Sequence, residues 1–504
     1  MKMLRLAQFL FYSVIILGVY FIFADFARLK LNTADASTYL NIAENIAAHK
    51  GFVVTFDLYQ FFTAHEHPLW PFLHPVYPLL CALVFILHGG IEQVIRLNIF
   101  ILGINAALVF YLISRYCPSR LNLLFLFCLV FSFNFFYTSI FPWTEQLHLM
   151  FFLITFILFL RFPDRLAGLL SVGALNGFLF LIRVSHVYSL PAYLLVLGLS
   201  GGEFRERLRN VLVFLAGFLA VLGPYQLFNW LVFHSLYPEY LKPAADYTLA
   251  RVSHLSGYRP GHAGMYNPSG FQFAMSHIGY FCNHVKGLCG SFVFFLIPVA
   301  AYLSLLRHKA QGSFFVLNCL CQSACIVLGY SYSFSWNPNL ETLRYSLIPF
   351  VLIMLAGWFC FYELFFIAGS GPRRMFVVAI LTILVFFSGA RYLDLRQQLI
   401  GHPRTEDPYY IDLYGSFRWV DGNLPPNILV ASNEDQEGYF MHRPFISMPP
   451  KSSFSCANLR IYDRIYAPDY YLLSLAVPGV CFDQIPHKQV FSNKTFRILK
   501  VKRN

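Results

Sequence analysis

The stretch N-T-A-D-A-S-T-Y-L-N-I-A-E-N-I-A, residues 32–47, follows the first apolar run of the chain. Its apolar residues recur at helical spacing: Tyr39, Ile42, Ala43 and Ile46. Asn41, Glu44 and Asn45 lie on the opposite side. This periodicity predicts a short amphipathic helix that begins at Asp35 and lies in a membrane interface.

A polar loop with Glu66-His67-Pro68-Leu69-Trp70 comes next, followed by a second apolar run that ends near Gly90. Four prolines mark the start of this run: Pro68, Pro71, Pro75 and Pro78. Proline interrupts helices, and the run at 70–88 is short for a membrane span. We therefore predict that it lies in the outer interface and does not cross the membrane.

Composition indicates a membrane protein with many spans. Of the 504 residues, 57% are hydrophobic and 12% are charged. Soluble domains carry roughly 25% charged residues. The mean hydropathy of +0.56 agrees. The net charge of +12 gives no reason to expect nucleic acid binding, because the basic residues cluster between apolar runs.

Eleven apolar runs are long enough to span a bilayer. They cover residues 7–26, 92–114, 121–140, 146–161, 166–183, 186–200, 211–233, 288–306, 313–332, 345–366 and 375–393. With 70–88 kept outside, the basic clusters all fall on the side of Lys2 and Arg5, as the positive-inside rule requires. The prediction is an all-α polytopic domain over 1–393, with the N-terminus cytoplasmic and 27–91 as a first periplasmic loop with interfacial helices.

The segment 394–504 is polar and rich in proline, and we predict a small α/β domain outside the membrane. Residues 427–432 and 496–501 are typical of strands, and 409–420 of a helix. Cys456 and Cys481 both lie here. In an oxidising compartment they could pair or stay free.

Two acids precede apolar helices on the predicted outer face. Asp35 stands at the start of the interfacial helix, where it could serve as an N-cap, as a functional acid, or as both. Glu145, in Phe141-Pro-Trp-Thr-Glu145, heads the fourth predicted span. It is either a solvated loop acid or a functional carboxylate. Two such carboxylates could share a proton, a metal ion or an acceptor hydroxyl.

Outward-facing cations break the positive-inside trend and suggest an anionic ligand. Arg183 lies between two spans, and Arg344-Tyr345 heads a late one. A guanidinium group matches phosphate geometry, although snorkelling to lipid head groups is an alternative. His65, His67 and His74 in the first loop are hydrogen-bonding residues or metal ligands.

The order of these motifs resembles the GT-C superfamily of membrane glycosyltransferases. The closer likeness is to the branch with protein O-mannosyltransferases and the lipid A aminoarabinose transferase. The resemblance covers about 1–395. It rests on Asp35 with Tyr39 and Ile42-Ala43, Pro75-x-Tyr77-Pro78-Leu-Leu, Arg96-Leu-Asn98, Thr144-Glu145, Leu-Ile-Arg183 and Arg344-Tyr345-Ser-Leu-Ile-Pro349. Two departures are Ala36, where many relatives have Glu, and Glu145, where several have Asp.

The resemblance implies transfer of a sugar from a polyprenyl-phosphate carrier, usually with inversion. Asp35 would be the base or acceptor-positioning acid, and Glu145 a second functional acid. The donor phosphate would be bound by Arg344, Tyr345, Arg183, and His74 or His67. Metal dependence differs across the superfamily, and Glu145 and the histidines leave a divalent metal ion open as a cofactor.

The expected setting is a bacterial inner membrane, with partners that are lipids, a polyprenyl-phosphate sugar, and an envelope glycan, lipid or protein acceptor. The sequence gives neither the sugar, the acceptor, the oligomeric state nor the role of 394–504. An O-antigen polymerase or ligase is an alternative, but it would carry arginines on a large late outer loop. A lipid-linked sugar transporter or flippase is another, but we find no internal repeat or midplane acids.

Overall fold

The computed structural model describes residues 2–28, 34–53, 56–57, 75–119, 121–163, 165–199, 203–233, 310–333, 344, 346–362, 371, 390, 393, 396–397, 408–432, 443, 445–448, 459–460, 462–464, 467–475, 482 and 485–502. The chain forms two compact units. The first comprises Met1–Arg28, Ile95–Tyr225 and Pro268–Gln398, and the second Leu29–Val94, Gln226–Asn267 and Leu399–Asn504. Several predictions lie outside the described residues, namely those on His65, His67, His74, Tyr345, Cys456, Cys481 and the spans at 288–306 and 375–393.

The first unit is helical. Its helices are α1 (Lys2–Phe23), α4 (Ile91–Tyr116), α5 (Asn122–Val130), α6 (Phe133–Tyr137), α7 (Glu145–Arg161), α8 (Leu166–Ile182), α9 (Leu190–Leu199), α10 (Phe204–Phe233), α11 (Ala310–Ser333) and α12 (Leu347–Tyr362). Two 3₁₀ helices cover Ala24–Arg28 and Val184–Ser189. The first residues of α4 and the last of α10 belong to the second unit.

Within the described residues, three helical stretches are long and apolar enough to cross a bilayer: Arg5–Ala27, Ile91–Tyr116 and Phe204–Leu231. Apolar helices of 10–17 residues include Leu166–Ile182, Phe314–Gly329 and Leu347–Tyr362. Large apolar side chains on α1, such as Phe9 and Phe21, are exposed, as lipid-facing residues are. The described helices match the positions of most predicted runs, and the total of eleven spans stays a prediction.

The span predicted at 121–140 is wrong as a continuous helix. Two short helices, α5 and α6, occupy this stretch, and the break falls at Ser132. Ser132 has extended backbone angles (φ −66°, ψ 140°), and its hydroxyl donates to the Leu129 carbonyl oxygen at 2.6 Å. A serine that bonds its own backbone competes with the helical ladder, which explains why an apolar run is interrupted here.

Helices α8 and α10 pack closely through glycines. A Cβ at Gly173 would collide with the Phe214 carbonyl oxygen, and a Cβ at Gly217 would collide with that of Leu170. Small residues let two backbones approach in the manner typical of membrane helix pairs. This contact holds α8, whose C-terminal end carries Arg183, in place.

In the second unit, α2 (Ala34–Ala47) packs on α3 (Val76–Ile86), with the Tyr39 and Tyr77 rings edge to face at 5.1 Å between centroids. The eleven residues of α3 are too few to span a bilayer, in agreement with an interfacial placement. Asp35 falls inside the first turn of α2 and not at its cap.

The polar side of α2 differs from the prediction. Asn41 and Asn45 are buried, and the Asn45 amide donates to Asn41 Oδ1 at 3.2 Å and to the Val53 carbonyl oxygen at 2.9 Å. Asn45 therefore binds the chain that follows the helix, and Asn41 accepts a hydrogen bond from Asn45. Sequence periodicity separates polar from apolar faces, but it does not show which polar faces are covered.

The C-terminal part of the second unit is an α/β domain, as predicted. Helix α13 (Pro408–Asn423) packs on a six-stranded sheet of order β1-β3-β2-β4-β6-β5. The strands are β1 (Phe56–Asp57), β2 (Val430–Ser432), β3 (Phe445–Ser447), β4 (Tyr470–Ser474), β5 (His487–Ser492) and β6 (Phe496–Val501). Strands β1 to β4 pair in parallel, and β6 runs antiparallel to β4 and β5.

Strand β1 comes from the first loop and not from the C-terminal segment. Phe56 pairs with Phe445 and Asp57 with Ile446, so the loop that follows α2 adds the edge strand of the C-terminal sheet. No sequence pattern predicted this pairing. It joins the helix that carries Asp35 to the C-terminal domain through the backbone.

Candidate active site

A carboxylate and two guanidinium groups meet at the start of α7 in the first unit. Arg183 Nη1 donates to Glu145 Oε1 at 2.5 Å, and Arg344 Nε donates to the same oxygen at 2.8 Å. The Glu145 side chain is 2% exposed, and those of Arg183 and Arg344 are 12% and 7% exposed. The cluster is thus largely withdrawn from water and carries one net positive charge.

Buried amides fix the turn that places Glu145. Asn98 Nδ2 donates to the Phe141 carbonyl oxygen at 2.6 Å. Asn105 Nδ2 donates to both oxygens of Gln146, at 2.9 Å for the carbonyl and 2.8 Å for the side chain. Because α4 supplies both asparagines, it holds the residues on either side of Glu145.

Arg183 lies where α8 ends. Its backbone is extended (φ −158°, ψ 121°), which stops the helix and directs the chain into the 3₁₀ helix Val184–Ser189. Its Nε donates to Ser185 Oγ at 3.0 Å, and its Nη1 also donates to Thr144 Oγ1 at 3.2 Å. Several donors are therefore engaged, and the guanidinium plane has a fixed orientation.

Arg344 precedes α12 and is held by an aromatic face. Its guanidinium carbon lies 4.2 Å from the centroid of the Trp143 ring, a cation–π distance. Next to it, Asn134 Nδ2 donates to Ser346 Oγ at 3.1 Å and joins α6 to this segment. These contacts bring a residue from late in the chain to the start of α7.

A chain of polar side chains leads away from the cluster. His148 Nε2 lies 3.1 Å from His186 Nδ1, and His186 Nε2 lies 2.8 Å from Asn176 Oδ1. The Asn176 amide donates to the Val172 carbonyl oxygen, so its Oδ1 is the acceptor. This order assigns a proton to His186 Nε2 and another to His148 Nε2.

Electrostatics keep Glu145 ionised. Burial is the largest influence and would raise the pKa of this carboxyl, but Arg183 and Arg344 together outweigh it and lower the pKa below its usual value. The carboxylate is therefore charged at neutral pH and acts only as a hydrogen-bond acceptor.

The cluster opens on a small cavity. Its wall is formed by Glu145, His148, Arg183, Ser185, Ser189, Ile326, Arg344, Leu347 and Ile348. In this conformation it has room for about one water molecule. An acid, two cations and a histidine therefore line one small cavity.

The structure joins three of the residues predicted from the sequence: Glu145, Arg183 and Arg344. The alternative of a solvated loop acid is wrong for Glu145, since the side chain is buried between two cations. Snorkelling is likewise wrong for Arg183 and Arg344, which are engaged inside the protein. Asp35 belongs to the second unit, and its side chain lies outside the described residues.

Sequence reasoning missed Trp143, His148, His186 and Ser189 as parts of this site. The spacing of Glu145 and His148, three positions apart at the start of a helix, was an available signal, because such residues share a face. Among the described residues, no three His, Cys, Asp or Glu side chains are grouped as a metal site requires. The sequence left a divalent metal ion open as a cofactor, and the described residues do not test it.

Comparison with known proteins supports the fold. Residues 66–226, about a third of the chain, match the family described as dolichyl-phosphate-mannose-protein mannosyltransferase. ArnT from Cupriavidus metallidurans, in its crystal structure bound to undecaprenyl phosphate, has a TM-score of 0.62 and 13% identity, with 98% of each chain covered. The apo structure of the same ArnT has a TM-score of 0.55 and 12% identity, also with 98% of each chain covered.

A third solved structure is the Archaeoglobus fulgidus oligosaccharyltransferase tethered to an acceptor peptide with the NVT sequon. It has a TM-score of 0.54 and 12% identity over 97% of this chain and 74% of that one. None of the curated proteins matches the chain in sequence. Identities this low show the fold alone. The family match and the shared fold confirm the resemblance to the GT-C superfamily of membrane glycosyltransferases.

Proposed function

We propose that the chain is a membrane glycosyltransferase that moves a sugar from a polyprenyl-phosphate donor to a lipid, glycan or protein acceptor on the periplasmic face. The observation that carries the proposal is the buried Glu145–Arg183–Arg344 cluster, which lines a cavity in a fold shared with ArnT. The ArnT crystal structure contains undecaprenyl phosphate and the oligosaccharyltransferase structure a tethered acceptor peptide, which supports a lipid-linked donor and a separate acceptor.

The chemistry needs a base and an electrophilic partner for the leaving group. The acceptor nucleophile attacks the anomeric carbon, its proton passes to a carboxylate, and the bond from that carbon to the phosphate oxygen breaks. Its electron pair stays on the polyprenyl phosphate. A positioned carboxylate and guanidinium groups at the phosphate supply both needs.

The roles follow from that requirement. Asp35 is the base or positions the acceptor, and Glu145 is the second functional acid. The guanidinium groups of Arg183 and Arg344, with Tyr345 and with His67 or His74, bind the donor phosphate. A lipid donor has an insoluble tail, so its phosphate is met at the membrane surface. We place that surface on the periplasmic side of a bacterial inner membrane.

A transfer assay tests the proposal. Full-length protein in nanodiscs would receive radiolabelled undecaprenyl-phosphate sugars together with an extract of envelope lipids and glycans. Wild type is expected to move label to a product, and Asp35→Asn to lose about 100-fold or more in rate. Asp25→Asn is the control, since Asp25 is an exposed acid ten residues earlier.

The outcomes separate the alternatives. An active Asp35→Asn enzyme would defeat the assignment of Asp35. No transfer from well-folded wild type with any donor would defeat the proposed function. If full-length protein in sealed proteoliposomes moved the labelled carrier across the bilayer without forming a new product, a flippase would be indicated instead.

A further inference from the structure

The two oxygens of Glu145 have different surroundings. Oε1 accepts hydrogen bonds from both Arg183 and Arg344. Oε2 is buried and has no hydrogen-bond partner among the described residues. A buried carboxylate oxygen without a donor is costly, so this atom lacks a partner that its environment should supply.

Ser189 shows the same deficit on the same cavity. Its side chain is fully buried, and its Oγ has no hydrogen-bond partner within the part of the chain that the structure describes. Ser189 and Glu145 both line the cavity, whose remaining wall includes the apolar side chains of Ile326, Leu347 and Ile348. Two residues that each carry a buried polar atom without a described partner therefore line one space that is partly apolar.

The chemistry of these two atoms selects the ligand. Oε2 of an ionised carboxylate only accepts hydrogen bonds, so it attracts a donor and repels an anion. The Ser189 hydroxyl both donates and accepts. A hydroxyl group can donate to Oε2 and accept from Ser189, and a space of about one water molecule fits one hydroxyl.

We propose that this cavity is a subsite for one hydroxyl group of a sugar substrate, recognised by Glu145 Oε2 and Ser189 Oγ. The inference rests on the proposed function and adds a specificity determinant to it. The hydroxyl belongs either to the sugar of the lipid-linked donor or to the acceptor. The guanidinium groups hold Glu145 through Oε1 and thereby leave Oε2 for this contact.

Ser189→Ala is the test variant. Because the buried hydroxyl has no described partner, its removal should not lower the melting temperature. Ser171→Ala is the matched control, since Ser171 is exposed on α8 and its one hydrogen bond within the described residues is to the Ala167 carbonyl oxygen of its own helix. Both proteins are studied as full chains in nanodiscs.

The first arm measures binding to the donor. Dissociation constants are compared for undecaprenyl phosphate alone and for a panel of undecaprenyl-phosphate hexoses and pentoses. Wild type is expected to bind at least one sugar-bearing carrier about tenfold more tightly than the bare carrier. In Ser189→Ala, the affinity for that sugar-bearing carrier should fall about fivefold, while the affinity for the bare carrier stays the same.

The second arm measures the acceptor KM at saturating donor. If the acceptor KM of Ser189→Ala rises about fivefold and donor binding is unchanged, the bound hydroxyl group belongs to the acceptor. Loss of affinity for the sugar-bearing carrier would assign it to the donor. Ser171→Ala should match wild type in both arms.

The two failures are distinguishable. If wild type binds the bare carrier, and Ser189→Ala changes neither the gain from the sugar nor the acceptor KM, the subsite is overturned and the proposed function stands. If wild type binds no carrier at all, the proposed function fails and the subsite fails with it.

Discussion

Glu145 stays charged in a buried position because Arg183 and Arg344 both donate to one of its oxygens. Removing a single partner from a buried ion cluster leaves the others uncompensated, which is why such clusters are sensitive to truncation. The Trp143 ring adds a third support, since Arg344 lies over its face. The residue scale therefore predicts large effects at a few positions.

Glu145→Ala should destabilise the protein by about 3–5 kcal/mol, because two guanidinium groups then lie buried without a counter-charge. The measurement is the melting temperature of the full chain in nanodiscs. Glu206→Ala is the control, since Glu206 is an exposed acid in the first turn of α10. Equal melting temperatures for the two variants would contradict the importance of the cluster.

The pH dependence follows from the lowered pKa of Glu145. Burial raises that pKa, but the two guanidinium groups bring it below the ordinary value of 4.5. A depressed acid stabilises the folded protein fully above its unfolded pKa and loses this contribution as pH falls through the folded pKa. The melting-temperature gap between wild type and Glu145→Gln should therefore be constant between about pH 7 and pH 5 and shrink below 4.5. A gap that narrows near pH 6 would contradict this.

At the scale of elements, the glycine contact between α8 and α10 sets the position of Arg183. A Cβ at Gly217 would lie close to the Leu170 carbonyl oxygen, whereas a Cβ at Gly223 on the same helix would meet no other described segment within 4 Å. The two positions therefore share helix and residue type but differ in the space around them.

Gly217→Ala should lower stability by about 1–3 kcal/mol, because the added methyl group pushes the two backbones apart. Gly223→Ala should cost less, because its added methyl group meets no other described segment, and the remaining cost comes from Pro224, which disfavours a helical residue with a Cβ before it. Thermal unfolding of both variants gives the comparison. If Gly217→Ala also slows transfer, the displacement of α8 has moved Arg183. If Gly217→Ala is as stable as Gly223→Ala, the close contact between α8 and α10 is ruled out.

At the scale of the whole molecule, the first loop and the C-terminal domain share one sheet through β1 and β3. Strand β1 is at the edge, so a change there affects one pairing and leaves the inner strands intact. The pairing gives the C-terminal domain a role that composition did not reveal: it anchors the loop that follows Asp35.

Phe56→Pro should release β1, because proline lacks the N–H that a strand needs and restricts its neighbour. We expect faster hydrogen exchange of the amides at 445–447 and reduced transfer activity. Phe56→Ala is the control, since it keeps the backbone N–H. Unchanged hydrogen exchange in the proline variant would show that the pairing of β1 with β3 does not protect these amides in solution.

The sequence predicted local features better than contacts between distant residues. Apolar runs located α4, α7 and α8, and alternation located β6, because these signals depend on neighbours in the chain. Charge placement also selected Glu145, Arg183 and Arg344 individually. Their convergence, the break at Ser132 and the entry of β1 into the sheet depend on tertiary contacts or on a single side chain, which periodicity does not encode.

The position of β1 also has a consequence for biosynthesis. Phe56 and its partner Phe445 are separated by about 390 residues. At roughly 5–20 residues per second, the ribosome takes roughly 20–80 s to make the second strand after the first. During that interval the first loop has no sheet edge to join. A newly made chain can therefore gain an anchored first loop only late in translation, after its helices have entered the membrane.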